Sequence, residues 1–320
     1  MNGEVENMTA TIIEGKKVQL PLLKSLQEEV LEHKKNNIVP GMAIIMVDNG
    51  ELLTRTNYAL HVNLASQLGY LIKEKVLSKD ITEEELIHII EGFNRDESID
   101  GIIVLIPLPD SINVVNVINA IDPDKEIEGL HPLNAIGLFP TSNSPVNVPM
   151  CVTSSVLKVF DYHKINLNKK NIVILIDWSF LTSNPIATMV AKMGSLAILP
   201  PDVTIKIINT NTENLEEHCK EADVLIVSTE QVDLVKGNWI KPGACVVDFN
   251  PIQVGVKESN LHPGRKLPIL KGSVEIESVK EVAKWIAPAA GGVGPVMLTM
   301  LMENVLNSSK RRHYNKMPIL

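Results

Sequence analysis

Cysteine is scarce. Cys151, Cys219 and Cys245 are far apart and odd in number, so they form neither a disulfide framework nor a metal-spaced cluster. A reducing compartment is expected. Basic residues are outnumbered, 30 against 38 acidic, and with a net charge of −8 and no broad basic stripe the chain has nothing with which to neutralise a nucleic-acid backbone. The one basic cluster, Lys310, Arg311 and Arg312, reads as a localisation signal or as the cationic end of a helix, where the dipole favours it. No arginine precedes Arg55, and "MNGEVENMTATIIEGKK" lacks the apolar centre of a secretory signal. The longest apolar runs, such as "IIVLIPLP", are too short to span a bilayer. No membrane partner and a cytoplasmic location are expected. Glycine is missing from "ILIDWSFLTSNP", residues 174–185, which otherwise has the outline of a strand entering a helix at a phosphate-binding turn.

What is present is an ordinary globular composition, 45% apolar and 21% charged over 320 residues, enough for about two domains. "VQLPLLKSLQEEVLEHKKNN" repeats apolar residues at helical spacing, and "GMAIIMV" reads as a buried strand. "NYALHVNLASQLGY" returns to helical period. Thr82 and Glu85 are spaced as a capping box before an amphipathic helix, and "IDGIIVLIPLP" follows as a second buried strand. Residues 133–150 lose periodicity and gather Pro, Ser and Asn, which marks a connection. Beyond it, "TSSVLKVFDYHKI", "NIVILID", "PIATMVAKMG", "VTIKIIN", "NLEEHCKEA", "DVLIVST" and "ACVVDFN" alternate helix and strand at βαβ spacing. The expected class is α/β in two domains, an N-terminal α/β domain over 1–150 and a Rossmann-like doubly wound parallel sheet over 151–290. A long amphipathic helix closes the chain.

Four stretches carry a resemblance: "VLIPLPDSI", "DPDKEIEGLHPLNAIGL", "VKGNWIKPGACVVDFN" and "APAAGGVGPVMLTMLMENV". In this order and spacing the chain resembles the methylenetetrahydrofolate dehydrogenase/cyclohydrolase family over about residues 10–312. The resemblance implies an N-terminal folate domain, a C-terminal NAD(P) domain, a final helix (295–312) that packs back on the first domain, and an active site in the cleft between domains. It also implies the chemistry, hydride transfer from methylenetetrahydrofolate to nicotinamide and then hydrolysis of the methenyl cation.

Taken residue by residue, the family's folate-side positions are changed. The Tyr-x-x-x-Lys pair, four residues apart on one helical face, falls on Asn57 and His61 in an ungapped alignment. Tyr58 lies one residue away, a rotation of about 100 degrees on a helix. A gapped alignment brings Tyr58 into register and puts Val62 at the lysine. His61 as a substitute base, titrating near neutral pH, and His61 as a structural residue both stand at this point. The glutamine expected before Leu-Pro-Leu is Leu105. The acid that pairs with the pterin falls on Glu128, with Glu126 two residues earlier; one extra methylene displaces a carboxylate by about 1 Å, which costs on the order of 100-fold in rate. Two solvated acids on a loop are the plain alternative. Cys151 reads as a nucleophile or as a structural thiol. "GGVGP" (Gly291, Gly292, Val293, Gly294, Pro295) is intact as a substrate-side turn, although Pro288, Ala289 and Ala290 replace Pro-Val-Pro, and Ser273 replaces the aspartate of Gly-Asp-Val.

On the cofactor side, the resemblance places NAD or NADP at the opening stretch. There Asp177 replaces the first glycine, Trp178 the arginine and Ser183 the second glycine, while Ser179 and Pro185 remain. Glu230 replaces a third glycine. Like charges at ~4 Å in a partly shielded site repel by about 4 kcal/mol, so Asp177 opposes a diphosphate. Asn209 and Thr210 offer no cation for the 2′-phosphate of NADP.

Three readings follow: a divergent member with lost or strongly reduced turnover that keeps the fold and some ligand binding; an active NAD(P)-dependent dehydrogenase with or without cyclohydrolase activity; and a structural partner in a homodimer or mixed dimer. A folate-type small molecule is the expected ligand of the first two.

Overall fold

A computed structural model describes residues 9–136, 148–177, 200, 202–260 and 263–314. In chain order the helices are α1 (Gly15–Lys35), α2 (Leu52–Leu68), α3 (Glu83–Arg95), α4 (Val114–Ala120), α5 (Pro132–Ile136), α6 (Cys151–Tyr162), α7 (Leu215–Lys220), α8 (Ile276–Val279) and α9 (Gly294–Tyr314). The strands are β1 (Thr11–Ile12), β2 (Gly41–Asp48), β3 (Leu71–Ser78), β4 (Gly101–Leu105), β5 (Asn171–Ile176), β6 (Thr204–Asn209), β7 (Val224–Ser228), β8 (Cys245–Asp248), β9 (Ile252–Glu258), β10 (Lys266–Lys271) and β11 (Trp285–Ala287). The chain divides into two compact units, one of residues up to Gln19 with Ser155–Val296, the other of Leu20–Ser154 with the residues from Met297 on.

The second of these holds a three-stranded parallel sheet in the order β3-β2-β4. Its central strand is a continuous apolar run because both faces are covered. Met42, Ile44 and Met46 join Ile103 and Leu105 against α1, α2 and α9, while Ala43, Ile45 and Val47 join Ile102 and Val104 against Leu86, Ile90 and Phe93 of α3. Period-two alternation thus sorts one strand into two cores. The capping box is formed: Thr82 Oγ1 accepts from Glu85 N at 3.2 Å, and Glu85 Oε2 accepts from Thr82 N at 2.9 Å. β3 departs from the sequence reading, which assigned no strand there. It is an edge strand bearing Lys73, Glu74 and Lys75, with only one neighbour to cover it, so it never needed an apolar run.

The other unit holds a six-stranded sheet, β1-β11-β8-β7-β5-β6, parallel at every pairing. β1 belongs here because Thr11 and Ile12 pair with Trp285 and Ile286. A boundary drawn from composition alone at residue 150 could not place this two-residue strand. Val173 and Leu175 of β5 meet Leu225 and Val227 of β7 and Val246 of β8 in one apolar cluster. β9 and β10 form a separate antiparallel hairpin. The helix expected over "PIATMVAKMG" lies outside the described residues.

The basic cluster proves to be a helix end. Lys310 pairs with Glu29 at 2.7 Å and Arg312 with the buried Asp100 at 2.8 Å, in the last turns of α9. Among the described residues no helix is long and apolar enough to cross a membrane.

Candidate functional site

In the unit with the three-stranded sheet, α2 carries the residues at the tyrosine and lysine positions. His61 is 2% exposed, and its Nδ1 lies 2.8 Å from the carbonyl of Asn57, one turn back on the same helix. A carbonyl only accepts, so Nδ1 carries the hydrogen. Burial holds the imidazole below its ordinary pKa, so it is neutral at pH 7. Asn57 is half-buried. Tyr58 donates to Glu74 Oε2 at 2.5 Å, on the neighbouring edge strand, and burial followed by the Glu74 carboxylate raises its phenol above the ordinary range. Tyr58 and His61 therefore have separate partners. Leu105 is buried in the apolar cluster, in register with Met46.

The acidic pair lies in the segment after β4, and it is not a pair of solvated acids. Glu126, 2% exposed, accepts from Glu128 N at 2.6 Å, Leu130 N at 2.8 Å, His131 N at 3.0 Å and Asn134 Nδ2 at 3.1 Å. Glu128 is half-buried, and burial first, then the Glu126 charge, pushes its carboxyl up to about 8. Gly129 makes the turn with φ +76°; a Cβ there would stand 2.6 Å from the Met150 backbone. Cys151 is buried, its thiol donates to Ile127 O at 3.2 Å, and Asn304 Nδ2 contacts its sulfur at 3.2 Å. Burial, with Glu128 next, raises this thiol well above its usual pKa, so it is a structural group and not a nucleophile.

In the unit with the six-stranded sheet, the carboxyl ends of β5, β7 and β8 gather polar residues, the place where open parallel sheets bind ligands. Asp177, 8% exposed, accepts from the backbone N–H of Glu230 at 2.5 Å. The Glu230 side chain is exposed. Asp248 accepts from Ser273 N at 3.2 Å and Val274 N at 2.9 Å, and burial pushes its carboxyl up to about 6. Ser273 Oγ donates to Thr229 O at 2.9 Å and accepts from Thr229 Oγ1 at 2.8 Å. The serine that replaces the family's aspartate thus has a full set of buried partners of its own. Among the described residues Ser228 Oγ, which is buried, has no partner. Thr210 N and Asn209 Oδ1 close the turn after β6 by bonds to Ile176 O and Asn211 N. Trp178, Ser179, Ser183 and Pro185 lie outside the described residues.

The Gly-Gly-Val-Gly-Pro turn leads into α9. Gly291 has φ +89°, and Gly15 N donates to its carbonyl at 2.8 Å. A Cβ on Gly292 would stand 2.4 Å from Pro288 O, so this turn closes only without a side chain there. Val293 is buried, Gly294 has open space around its Cα, and Pro295 O accepts from Gln19 Nε2 at 2.9 Å.

Sequence reasoning missed Asp248, Asn134 and Asn304. A carboxylate ending a fully apolar strand was the signal available for Asp248. Nothing local marks the two asparagines, whose partners are 8 to 177 residues away in sequence. Among the described residues no group of three His, Cys, Asp or Glu is placed to hold a metal ion.

Comparison with known proteins agrees with this arrangement. The family profile described as tetrahydrofolate dehydrogenase/cyclohydrolase, catalytic domain, matches residues 13–128, and that described as tetrahydrofolate dehydrogenase/cyclohydrolase, NAD(P)-binding domain, matches residues 150–313. The bifunctional protein FolD of Desulfosudis oleivorans is 38% identical over 95% of this chain and 98% of its own length, and that of Bacillus subtilis 34% identical over 95% and 99%. The Trypanosoma brucei methylenetetrahydrofolate dehydrogenase-cyclohydrolase, solved with NADP and an inhibitor, superposes with a TM-score of 0.79 at 27% identity, covering 94% of this chain and 98% of that one. The Campylobacter jejuni FolD structure gives 0.76 at 27%, covering 95% and 99%. With two profiles spanning most of its length and relatives matched nearly end to end, this chain belongs to the tetrahydrofolate dehydrogenase/cyclohydrolase family.

Proposed function

We propose that this chain is a folate-side ligand-binding member of the family whose turnover is lost or strongly reduced. The observation that carries the reading is Asp177. Its nearly buried carboxylate occupies the end of β5 where the family places a glycine, and it takes the Glu230 N–H. A diphosphate seated against that backbone would meet a fixed negative charge instead of free N–H groups. On this reading the Asp177 carboxylate, which among the described residues has no cationic partner, opposes a dinucleotide in the ordinary pose.

The hydrolytic half is affected independently. A lysine ammonium at the folate side would hold or move a proton near the attacking water. His61, neutral and tied to its own helix, does not replace it. Following the resemblance, the folate-type domain is assigned to residues 1–150 with helix 295–312 and the dinucleotide-type domain to 151–290, except that the segment up to Gln19, whose β1 pairs with β11, goes with the latter. Glu128 and the turn from Gly291 to Pro295 are the substrate-side contacts on this reading.

The identity of 38% to a bifunctional relative favours a second reading, an active NAD(P)-dependent dehydrogenase. Titration of NAD, NADP and a folate analogue, with absorbance assays of both reactions, separates the two. Folate-analogue binding without turnover is expected. NAD-dependent turnover would remove the proposal. The double variant Asp177→Gly/Ser183→Gly is expected to raise dinucleotide affinity at least tenfold, and unchanged affinity would show that the turn is not the obstacle.

A further inference from the structure

The two acids of the "KEIEGL" segment differ in what their carboxylates touch. Glu126 directs both oxygens inward: Oε1 accepts from Glu128 N, and Oε2 accepts from Leu130 N, His131 N and Asn134 Nδ2. Three donors converge on Oε2 and one on Oε1, so both oxygens of this buried carboxylate are tied to the segment. Glu128 has no side-chain hydrogen bond among the described residues, while its carbonyl accepts from Cys151 N at 3.0 Å. Asn134, itself fully buried, is oriented by Nδ2 bonds to Glu126 Oε2 and Pro123 O, and its Oδ1 is left without a partner. Among the described residues the segment therefore has one anchored acid and, beside it, two oxygen groups without a hydrogen-bond donor.

We infer that Glu126 is a positioning residue for the folate-side contact: its carboxylate never meets the ligand, but it fixes the backbone of residues 128–131 and thereby the way Glu128 is presented. This rests on the folate-binding reading above. The charge of Glu126 has a second effect, since it disfavours ionisation of Glu128. The other titratable groups of this region include His131, whose backbone N–H meets Glu126, Lys125 beside that acid in sequence, the Cys151 thiol at the start of α6, and Glu303 of α9, which acts on that thiol.

Glu126→Gln separates these roles. Its single oxygen is best used where three donors converge, which turns the amide NH2 toward Glu128 N and leaves that N–H without an acceptor. Three results are expected in the full chain. Amide exchange at Glu128 accelerates at least tenfold, while exchange at Ile44–Met46 in the central strand of the sheet does not change. The dissociation constant for folic acid rises at least tenfold. The midpoint of its pH dependence moves lower, because the Glu126 charge that disfavours ionisation of Glu128 is gone.

Unchanged exchange at Glu128 overturns the inference whatever the ligand result. So does unchanged folic acid affinity with an unchanged pH midpoint. If the unaltered protein does not bind folic acid, the functional reading fails and with it the ligand role assigned here, and that failure is recognised because Glu128 exchange still responds to Glu126→Gln.

Discussion

Burial of a single carboxyl converts directly into pH dependence of stability. Glu128 is raised to about 8 in the folded chain from an ordinary value of 4.5, so between those values the folded state holds one proton more than the unfolded state. Stability therefore falls as pH rises through that window, by at most about 1.4 kcal/mol per unit. Asp248 acts with the same sign between 3.8 and about 6. Above pH 6.5 the slope should belong mainly to Glu128, and Glu128→Gln should flatten the melting temperature between pH 6.5 and 8; an unchanged slope would refute the assignment. At Leu105, restoring the family's glutamine puts an amide into a fully apolar cluster, and Leu105→Gln is expected to cost about 1–3 kcal/mol in a urea titration. What could be read at this scale was residue identity, such as histidine where lysine is expected. That His61 is tied to Asn57 O, and that Glu126 is an anchor while Glu128 is not, required coordinates, because both depend on where N–H groups point.

Helix α3 shows how far local pattern reaches at the scale of an element. Its start was legible, since Thr82 and Glu85 at capping spacing satisfy two N–H donors that the helix itself cannot. Thr82→Ala should cost about 1 kcal/mol, measured as a shift in the denaturation midpoint. Its end was not legible. There the buried ammonium of Lys125 donates to the carbonyls of Phe93, Asn94 and Asp96 at 3.1, 2.7 and 2.9 Å, from about thirty residues away. Lys125→Met leaves those carbonyls without their cation, with an expected loss of about 2 kcal/mol or more; a loss no larger than that of Thr82→Ala would show that water replaces it. The β9–β10 hairpin leaves no hydrophobic pattern in the sequence, for the same reason as β3. Val254, Val256 and Ile269 are exposed, so no buried face wrote a signal into the sequence.

For the whole molecule, two compact units with separate apolar clusters predict unfolding that is not a single two-state step. Calorimetry should give a calorimetric enthalpy larger than the van't Hoff value. A folate analogue at about 100 times its dissociation constant should stabilise the species that binds it by about 2.7 kcal/mol, whereas NAD at the same concentration should leave the melting curve unmoved. An NAD-induced shift would argue for the active reading.

By itself the sequence determined the family, the α/β class, the buried strands and the positions at which residues depart from the family pattern, because hydrophobic period, turn residues and motif order are local and survive in one dimension. The tertiary structure alone decided what the changed residues now do: Asp177 holding the Glu230 N–H, Tyr58 joined to Glu74, Cys151 enclosed as a thiol. Hydrogen bonds and desolvation act between groups distant along the chain, and only folding brings those groups within reach.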